Sequence, residues 1–188
     1  MKTIQILKIF INFLFYILIT VFIIYFFFFI ILIFLPGVLP TSLRNFSMLF
    51  KQPFGFKMYL APISSAVNFV LLIVSIFFLR KSMSSFLKSD FYNEIVTSNL
   101  KKAGNIFLFI GISSILIQLF TVSYIQSISY NMIQIETGFF IRLLNLTIAT
   151  LDFKSILAII IGLFFLLFSK IFENSRTLKQ DFPASTLV

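Results

Sequence analysis

Cysteine and histidine are both missing from the 188 residues of this chain, and only six residues are acidic. Without cysteine the chain forms no disulfide and no thiolate metal site, and without histidine it has no imidazole ligand and no histidine-based acid or base catalysis. Charged residues of both signs make up only 11% of the chain, whereas hydrophobic residues make up 60%. A soluble fold could not bury that much apolar surface, so the composition indicates a membrane protein.

The longest apolar run covers residues 9–35, with nine phenylalanines and no charged side chain. As a helix this run would be about 40 Å long, against about 30 Å for the hydrocarbon of a bilayer, so it can cross with some tilt. Pro36 and Gly37 are expected to end it. Three further apolar runs can also cross, at about 58–79, 103–124 and 153–172. We therefore predict an all-α membrane protein, a single domain formed by a bundle of four transmembrane helices.

The connectors between these runs predict short interfacial helices. Residues 41–50 carry apolar side chains at helical spacing, and Asp90 can cap a second interfacial helix that leads into the third span. After Tyr124 the uncharged run alternates as S-I-S-Y-N-M, a strand-like period, so we expect the third span to end near that residue. Asp152 can cap the last span.

Lysine and arginine are unevenly distributed between the two sides of this arrangement. If the N-terminus, the loop 80–102 and the tail from residue 170 share one side, that side carries ten basic residues and the other side five. The basic-residue rule then predicts that both termini and the tail 173–188 lie in the cytoplasm. Basic clusters beside apolar runs meet anionic lipid headgroups, so lipids are expected partners and direct nucleic-acid binding is not expected.

All six acidic residues lie outside the predicted hydrocarbon cores. Ion-coupled transport and intramembrane hydrolysis need a buried ionisable group, and paired carboxylates, metal clusters and phosphate-binding loops are also missing from the sequence. We therefore predict that the chain is not an enzyme and holds no cofactor and no metal. Among the polar residues within the spans, Asn68 and Gln118 are candidate intramembrane contacts, and they fit hydrogen bonding between helices better than a ligand path.

Two segments carry a resemblance to a known family. The first runs from Phe91-Tyr92-Asn93 to Asn99-Leu100-Lys101-Lys102-Ala103-Gly104, and the second is Lys170-Ile171-Phe172-Glu173-Asn174-Ser175-Arg176-Thr177-Leu178-Lys179-Gln180. They resemble the F-x-x-x-N-x-x-x-L-K-x-x-G segment and the closing I-F-x-x-G-x-x-L-K/Q pattern of the DUF2975 family, with Ser175 in place of the usual glycine. The family's acidic ending has no counterpart in residues 180–186. The resemblance implies a four-span bacterial cytoplasmic membrane protein of undetermined biochemistry, typically encoded beside a small helix-turn-helix regulator.

The loop 80–102 and the tail together form the only large charged surface that the sequence predicts. Our leading hypothesis is that this surface docks a cytoplasmic protein, such as a small helix-turn-helix regulator. The candidate docking residues are Lys88, Asp90, Glu94, Lys101, Lys102, Glu173, Arg176 and Lys179. One alternative is a component of small-molecule or lipid transport, with Asn68 and Gln118 along its path. Another is a structural envelope protein, and a homo-oligomer is compatible with each of these.

Overall fold

The computed structural model contains four long helices. It describes the backbone of residues 2–38, 40, 57–86, 93–133 and 152–181. The helices are α1 (Lys2–Phe34), α2 (Lys57–Phe86), α3 (Glu94–Ile133) and α4 (Phe153–Asp181), and one 3₁₀ turn follows α1 at Pro36–Val38. The described part of the chain contains no strand. The predicted fold class, an all-α bundle of four helices, is confirmed.

Each helix contains a segment long and apolar enough to cross a membrane. These segments are Ile4–Ile31, Pro62–Phe86, Glu94–Tyr124 and Phe153–Leu178. Large apolar side chains point outward from the bundle, and Phe10, Phe13 and Phe27 are each more than half exposed. In lipid such a surface is solvated, and a helix satisfies its own backbone hydrogen bonds, which is why these apolar runs form helices.

Some helix bounds follow directly from prolines or from the polar tail in the sequence. The first helix ends at Phe34, just before Pro36 and Gly37. Pro62 lies near the beginning of α2, where the lost hydrogen bond does little harm. The last helix continues beyond the predicted span 153–172 into the polar tail and ends at Asp181.

The second helix extends beyond the predicted span 58–79 to Phe86, because Arg80 and Lys81, which end the uncharged run, are good helix formers. One expectation about the connectors is wrong: the predicted interfacial helix before the third span is not separate, since α3 begins at Glu94 and runs without a break into the span. The segment 41–50, the other predicted interfacial helix, lies outside the described residues.

The strand-like alternation after Tyr124 also proved misleading. The third helix continues through Ile133. Six alternating residues are too few to separate a strand from a helix by period alone. Because the preceding residues are already helical, each added residue gains one hydrogen bond at little further cost, and the helix propagates.

Asn93, and not Asp90, caps α3. Its side-chain Oδ1 accepts a hydrogen bond from the backbone N–H of Ile95 at 3.0 Å, and its carbonyl accepts from Val96 N–H, also at 3.0 Å. The helix therefore begins later than predicted, and Asp90 itself lies outside the described residues. Asp152 does stand immediately before α4, at the position predicted for its cap.

Replacing Asn93 with alanine should destabilise the first turn of α3 by about 1 kcal/mol, because the N–H of Ile95 loses its acceptor. Hydrogen exchange of the amides of residues 94–97 in detergent should become several-fold faster. Asn93→Asp is the control, since aspartate keeps the acceptor and adds a charge that the helix N-terminus favours. Equal exchange in the alanine variant and in the native chain would contradict this assignment.

Contacts divide the chain into two compact units. The first comprises Met1–Tyr16, Leu71–Ile112 and Phe153–Val188, and the second comprises Ile17–Val70 and Ser113–Asp152. Buried apolar side chains of the first unit come from α2 and α3 and include Ile76, Val96 and Phe107. In the second unit, the rings of Phe22 and Phe69 stack with centroids 5.7 Å apart.

Small residues join α3 to α4 within the first unit, along what we call the α3–α4 seam. The seam consists of three facing pairs, each seven residues from the next on both helices: Thr97 with Ser169, Gly104 with Gly162, and Gly111 with Ser155. A Cβ placed on Gly104 would lie 2.9 Å from the carbonyl oxygen of Gly162, so the two backbones are nearly in contact. Seven-residue spacing of small residues is typical of antiparallel helices that pack this closely in a membrane.

Candidate functional site

An ion pair connects the beginning of α3 to the end of α4. Arg176 Nη1 lies 3.4 Å from Glu94 Oε2, and the Glu94 side chain is 81% exposed. One turn earlier on α4, Lys170 Nζ lies 3.1 Å from Glu173 Oε2. We call these four residues the outer charged surface. The structure thus brings together Glu94, Glu173 and Arg176, three of the residues predicted for docking.

The ion pair is positioned by the α3–α4 seam. Ser169 is buried and donates its hydroxyl hydrogen bond to the carbonyl of Thr97 at 2.9 Å. This bond fixes the register of α3 against α4. On α4 it lies seven residues before Arg176, and on α3 it lies three residues after Glu94. Because a helix is stiff over such distances, the register of the seam brings the two charged side chains within reach of each other.

The remaining docking candidates lie elsewhere on α3 and α4 or outside the described part, and the charge of Lys101 still acts on the carboxylate of Glu173. Lys101 and Lys102 are exposed on α3, two turns beyond Glu94 along the helix. Lys102 Nζ lies 5.5 Å from the ring centroid of Phe78 on α2. Lys88 and Asp90 are outside the described residues, and for Lys179 only the backbone is described.

Arg80 was not among the candidate residues predicted from the sequence, yet it makes several contacts with α1. Its guanidinium carbon lies 5.3 Å from the ring centroid of Phe15 and 5.4 Å from that of Tyr16, so both rings of α1 contact the cation. Its Nη2 is 3.5 Å from the Tyr16 hydroxyl oxygen. The available sequence signal was an arginine at the end of one apolar run and a Phe-Tyr pair within another.

Asn68 is part of a polar cluster in the second unit. Its Oδ1 accepts a hydrogen bond from the Ser113 hydroxyl at 3.1 Å, and its Nδ2 donates one to the Ser114 hydroxyl at 3.0 Å. All three side chains are partly buried. Both heavy atoms of the amide therefore have partners on α3, which agrees with the expectation of hydrogen bonding between helices.

Gln118 finds a partner that the sequence did not indicate. Its Nε2 lies 3.4 Å from Asp152 Oδ2, and Asp152 is the residue that precedes α4. The expected partner was on another helix, and the actual one is a carboxylate at a helix start. Gln118 Oε1 is buried and has no hydrogen-bond partner among the described residues.

The described residues contain no group of three His, Cys, Asp or Glu side chains that could hold a metal ion.

The fold defines the class of this protein: it is a multi-pass α-helical membrane protein with four helices that can cross a bilayer. Comparison with protein-family models, with curated proteins and with solved structures finds no match for the chain.

Proposed function

We propose that this chain is a membrane protein without catalytic activity that docks a cytoplasmic protein on its outer charged surface. The observation that carries the proposal is the ion pair between Glu94 and Arg176. It joins two segments distant in sequence into one surface, and it leaves the carboxylate largely exposed. Exposed groups of both signs, held by stiff helices, suit a partner with complementary charges.

The resemblance to the DUF2975 family supports a particular partner, the small helix-turn-helix regulator typically encoded beside members of that family. It also supports placement in a bacterial cytoplasmic membrane. The distribution of basic residues supports an orientation with both termini in the cytoplasm, where such a regulator would be found.

Transport along a path lined by Asn68 and Gln118 is less well supported. Ser113 and Ser114 occupy both hydrogen-bonding atoms of Asn68, so a passing ligand would have to compete with two existing bonds.

Charge reversal at Arg176 tests the docking proposal. The helix-turn-helix protein encoded by a neighbouring gene would be purified, and its binding to the chain in lipid nanodiscs would be measured by biolayer interferometry. Arg176→Glu should weaken binding about fivefold, since an exposed charge contact is worth at most about 1 kcal/mol. The fold should survive the substitution for the same reason.

Lys154→Glu is the matched control, because it reverses one basic charge near the other end of α4, about 33 Å away along the helix. Glu94→Arg combined with Arg176→Glu restores the ion pair with its charges exchanged. If the pair only holds the surface in shape, the double variant should recover binding. If the partner contacts the charges directly, it should not. A purified neighbour that binds neither the native chain nor its variants would refute docking of this regulator.

A further inference from the structure

Ser82 on α2 and Asn99 on α3 are buried polar residues, 1% and 4% exposed. Ser82 Oγ and Asn99 Nδ2 have no hydrogen-bond partner among the described residues. A buried polar group without a partner is costly, because it has given up its hydrogen bonds to water. Native proteins contain few such groups, so two of them on neighbouring helices require a physical explanation.

The register of α2 against α3 places these two residues on facing sides of the helices. Ser75 Oγ donates a hydrogen bond to the carbonyl of Ala103 at 3.3 Å, so Ser75 faces α3. Ser82 lies seven residues after Ser75 on the same side of α2, and Asn99 lies four residues before Ala103 on the same side of α3. Because the helices are antiparallel, both lie in the same direction from that bond, at about 10.5 Å and about 6 Å. The difference of about 4.5 Å is less than one helical turn.

Both side chains lean across this offset. Side chains of an α-helix tilt toward its N-terminus, so in these antiparallel helices Ser82 leans toward Asn99 and Asn99 leans toward Ser82. Within the second unit a serine and an asparagine do bond, since the Ser113 hydroxyl donates to Asn68 Oδ1 at 3.1 Å. Asn68 is 14 residues before Ser82 and Ser113 is 14 residues after Asn99, so the two pairs correspond in position on the two helices. Ser82 and Asn99 therefore have the residue types and the spacing of a bonded pair without the bond.

The end of α2 connects this pair to the outer charged surface. Phe86, the last residue of α2, packs against Phe172 of α4 with ring centroids 5.7 Å apart. Phe172 immediately precedes Glu173, which belongs to the outer charged surface. Ser82 is about one turn before Phe86, and a helix is stiff over that distance. A movement of Ser82 toward Asn99 therefore carries Phe86 with it.

We propose that Ser82 and Asn99 form a latch between α2 and α3, which is open in this conformation and closes by a hydrogen bond when the end of α2 moves. Closing satisfies two buried polar groups and shifts the contact between Phe86 and Phe172. One hydrogen bond contributes little net free energy, so the two states are close in free energy and a bound partner shifts the balance between them. An effect of the latch on docking rests on the proposed function, whereas the latch itself does not.

Two serine-to-alanine substitutions test whether the latch is open. Ser75 and Ser82 are both buried, but Ser75 has a bond to α3 and Ser82 has none. Ser75→Ala should lower the midpoint of thermal unfolding in detergent by a few degrees, because the bond to Ala103 is lost. Ser82→Ala should leave the midpoint unchanged or raise it, because it removes a buried hydroxyl that has no partner. Equal falls for the two variants would overturn the proposal, since the Ser82 hydroxyl would then already be bonded.

A pair of cysteines tests whether the latch can close, and the native chain contributes no cysteine of its own. In the variant carrying Ser82→Cys and Asn99→Cys, mild oxidation in detergent should form an intramolecular disulfide, which requires Cα atoms less than about 7 Å apart. The matched control carries Ser84→Cys and Asn99→Cys. Ser84 is exposed on the opposite side of α2, so its disulfide should form about tenfold more slowly. Equal rates for the two variants would overturn the proposal.

Phe86→Trp reports the movement, because the chain contains no other tryptophan. Combined with Ser82→Cys and Asn99→Cys, it should change its emission wavelength when the disulfide forms and recover the original wavelength with reductant. A disulfide that forms without any change in emission would refute the coupling to α4.

Docking of the neighbouring regulator would be measured on the same oxidised and reduced protein. The two forms should differ in affinity, and equal affinities would refute the link between the latch and docking. If the emission responds but the regulator binds neither form, docking of that regulator fails and the latch stands.

Discussion

Replacing Gly104 with leucine should lower the free energy of unfolding by about 3 kcal/mol, the largest effect that we expect from a single substitution. A Cβ at this position would lie 2.9 Å from the carbonyl oxygen of Gly162 and 2.9 Å from Cγ of Leu166. The carbonyl belongs to the backbone of α4, so it cannot move aside as a flexible side chain would. The two helices would have to separate, and the contacts of the α3–α4 seam would be lost.

The measurement is thermal unfolding in detergent, followed by the fraction of protein that remains monodisperse in size-exclusion chromatography. A loss of about 3 kcal/mol corresponds to a fall of roughly 10 °C in midpoint for a chain of this size. Asn105→Leu is the matched control, because Asn105 is the next residue on α3 and is exposed. An unchanged midpoint for Gly104→Leu would show that the close approach of α3 and α4 is wrong.

A double substitution provides a more stringent test of the seam. The Cβ of an alanine at Gly162 would meet the carbonyl of Gly104, also at 2.9 Å, so each glycine makes room for the backbone of the other. Once alanine at one position has moved the helices apart, alanine at the second should cost less. The combined loss for Gly104→Ala and Gly162→Ala should therefore be smaller than the sum of the single losses.

Replacing Asn68 with leucine should lower the free energy of unfolding by about 1–2 kcal/mol. The substitution removes both hydrogen bonds to α3, and bonds between membrane helices are worth about 0.6 kcal/mol each on average and up to about 1.7. Ser113→Ala and Ser114→Ala each remove one of the two bonds, so each should account for part of the loss. The same thermal unfolding assay measures all three variants.

Ser65→Leu is the control for Asn68→Leu, since Ser65 is on the same helix but exposed. Leucine there should not destabilise the protein, because the apolar side chain would face lipid. A stability of Asn68→Leu equal to that of the native chain would mean that the polar cluster does not hold α2 to α3, and the hypothesis of a transport path would gain support.

The prediction of four helices that can cross a membrane succeeded because the solvent imposes a simple rule. Residues 9–35 carry no charge, and in hydrocarbon an uncharged run of that length can satisfy its backbone only as a helix. The boundaries outside the hydrocarbon were less accurate. Asp90 was expected to cap the helix that leads into the third span, whereas α3 begins at Glu94, and α2 continues past Arg80 to Phe86. In water both helical and non-helical backbones can be hydrated, so charge alone does not stop a helix.

For individual side chains, the sequence predicted the type of contact but not the residue that makes it. Asn68 was expected to bond with another helix, yet nothing in the sequence selected Ser113 and Ser114. The pairing of Glu94 with Arg176 was equally unpredictable, because it depends on the register between α3 and α4. That register follows from glycines whose facing partners are 58 and 44 residues away along the chain, at Gly162 and Ser155.

By itself, the sequence determined that this chain enters a membrane, how many helices can cross it, and where the excess of positive charge lies. These properties depend on the transfer of apolar residues from water to lipid and on electrostatic attraction at the headgroups, and both can be read from composition along the chain. Only the tertiary structure decided that Arg80 rests on Phe15 and Tyr16, and that the charged ends of α3 and α4 meet. Such contacts depend on how closely and in what register the helices pack. Lipid solvates every apolar helix face about equally well, so hydrophobicity does not determine which helices pair, and close packing and hydrogen bonds determine it instead.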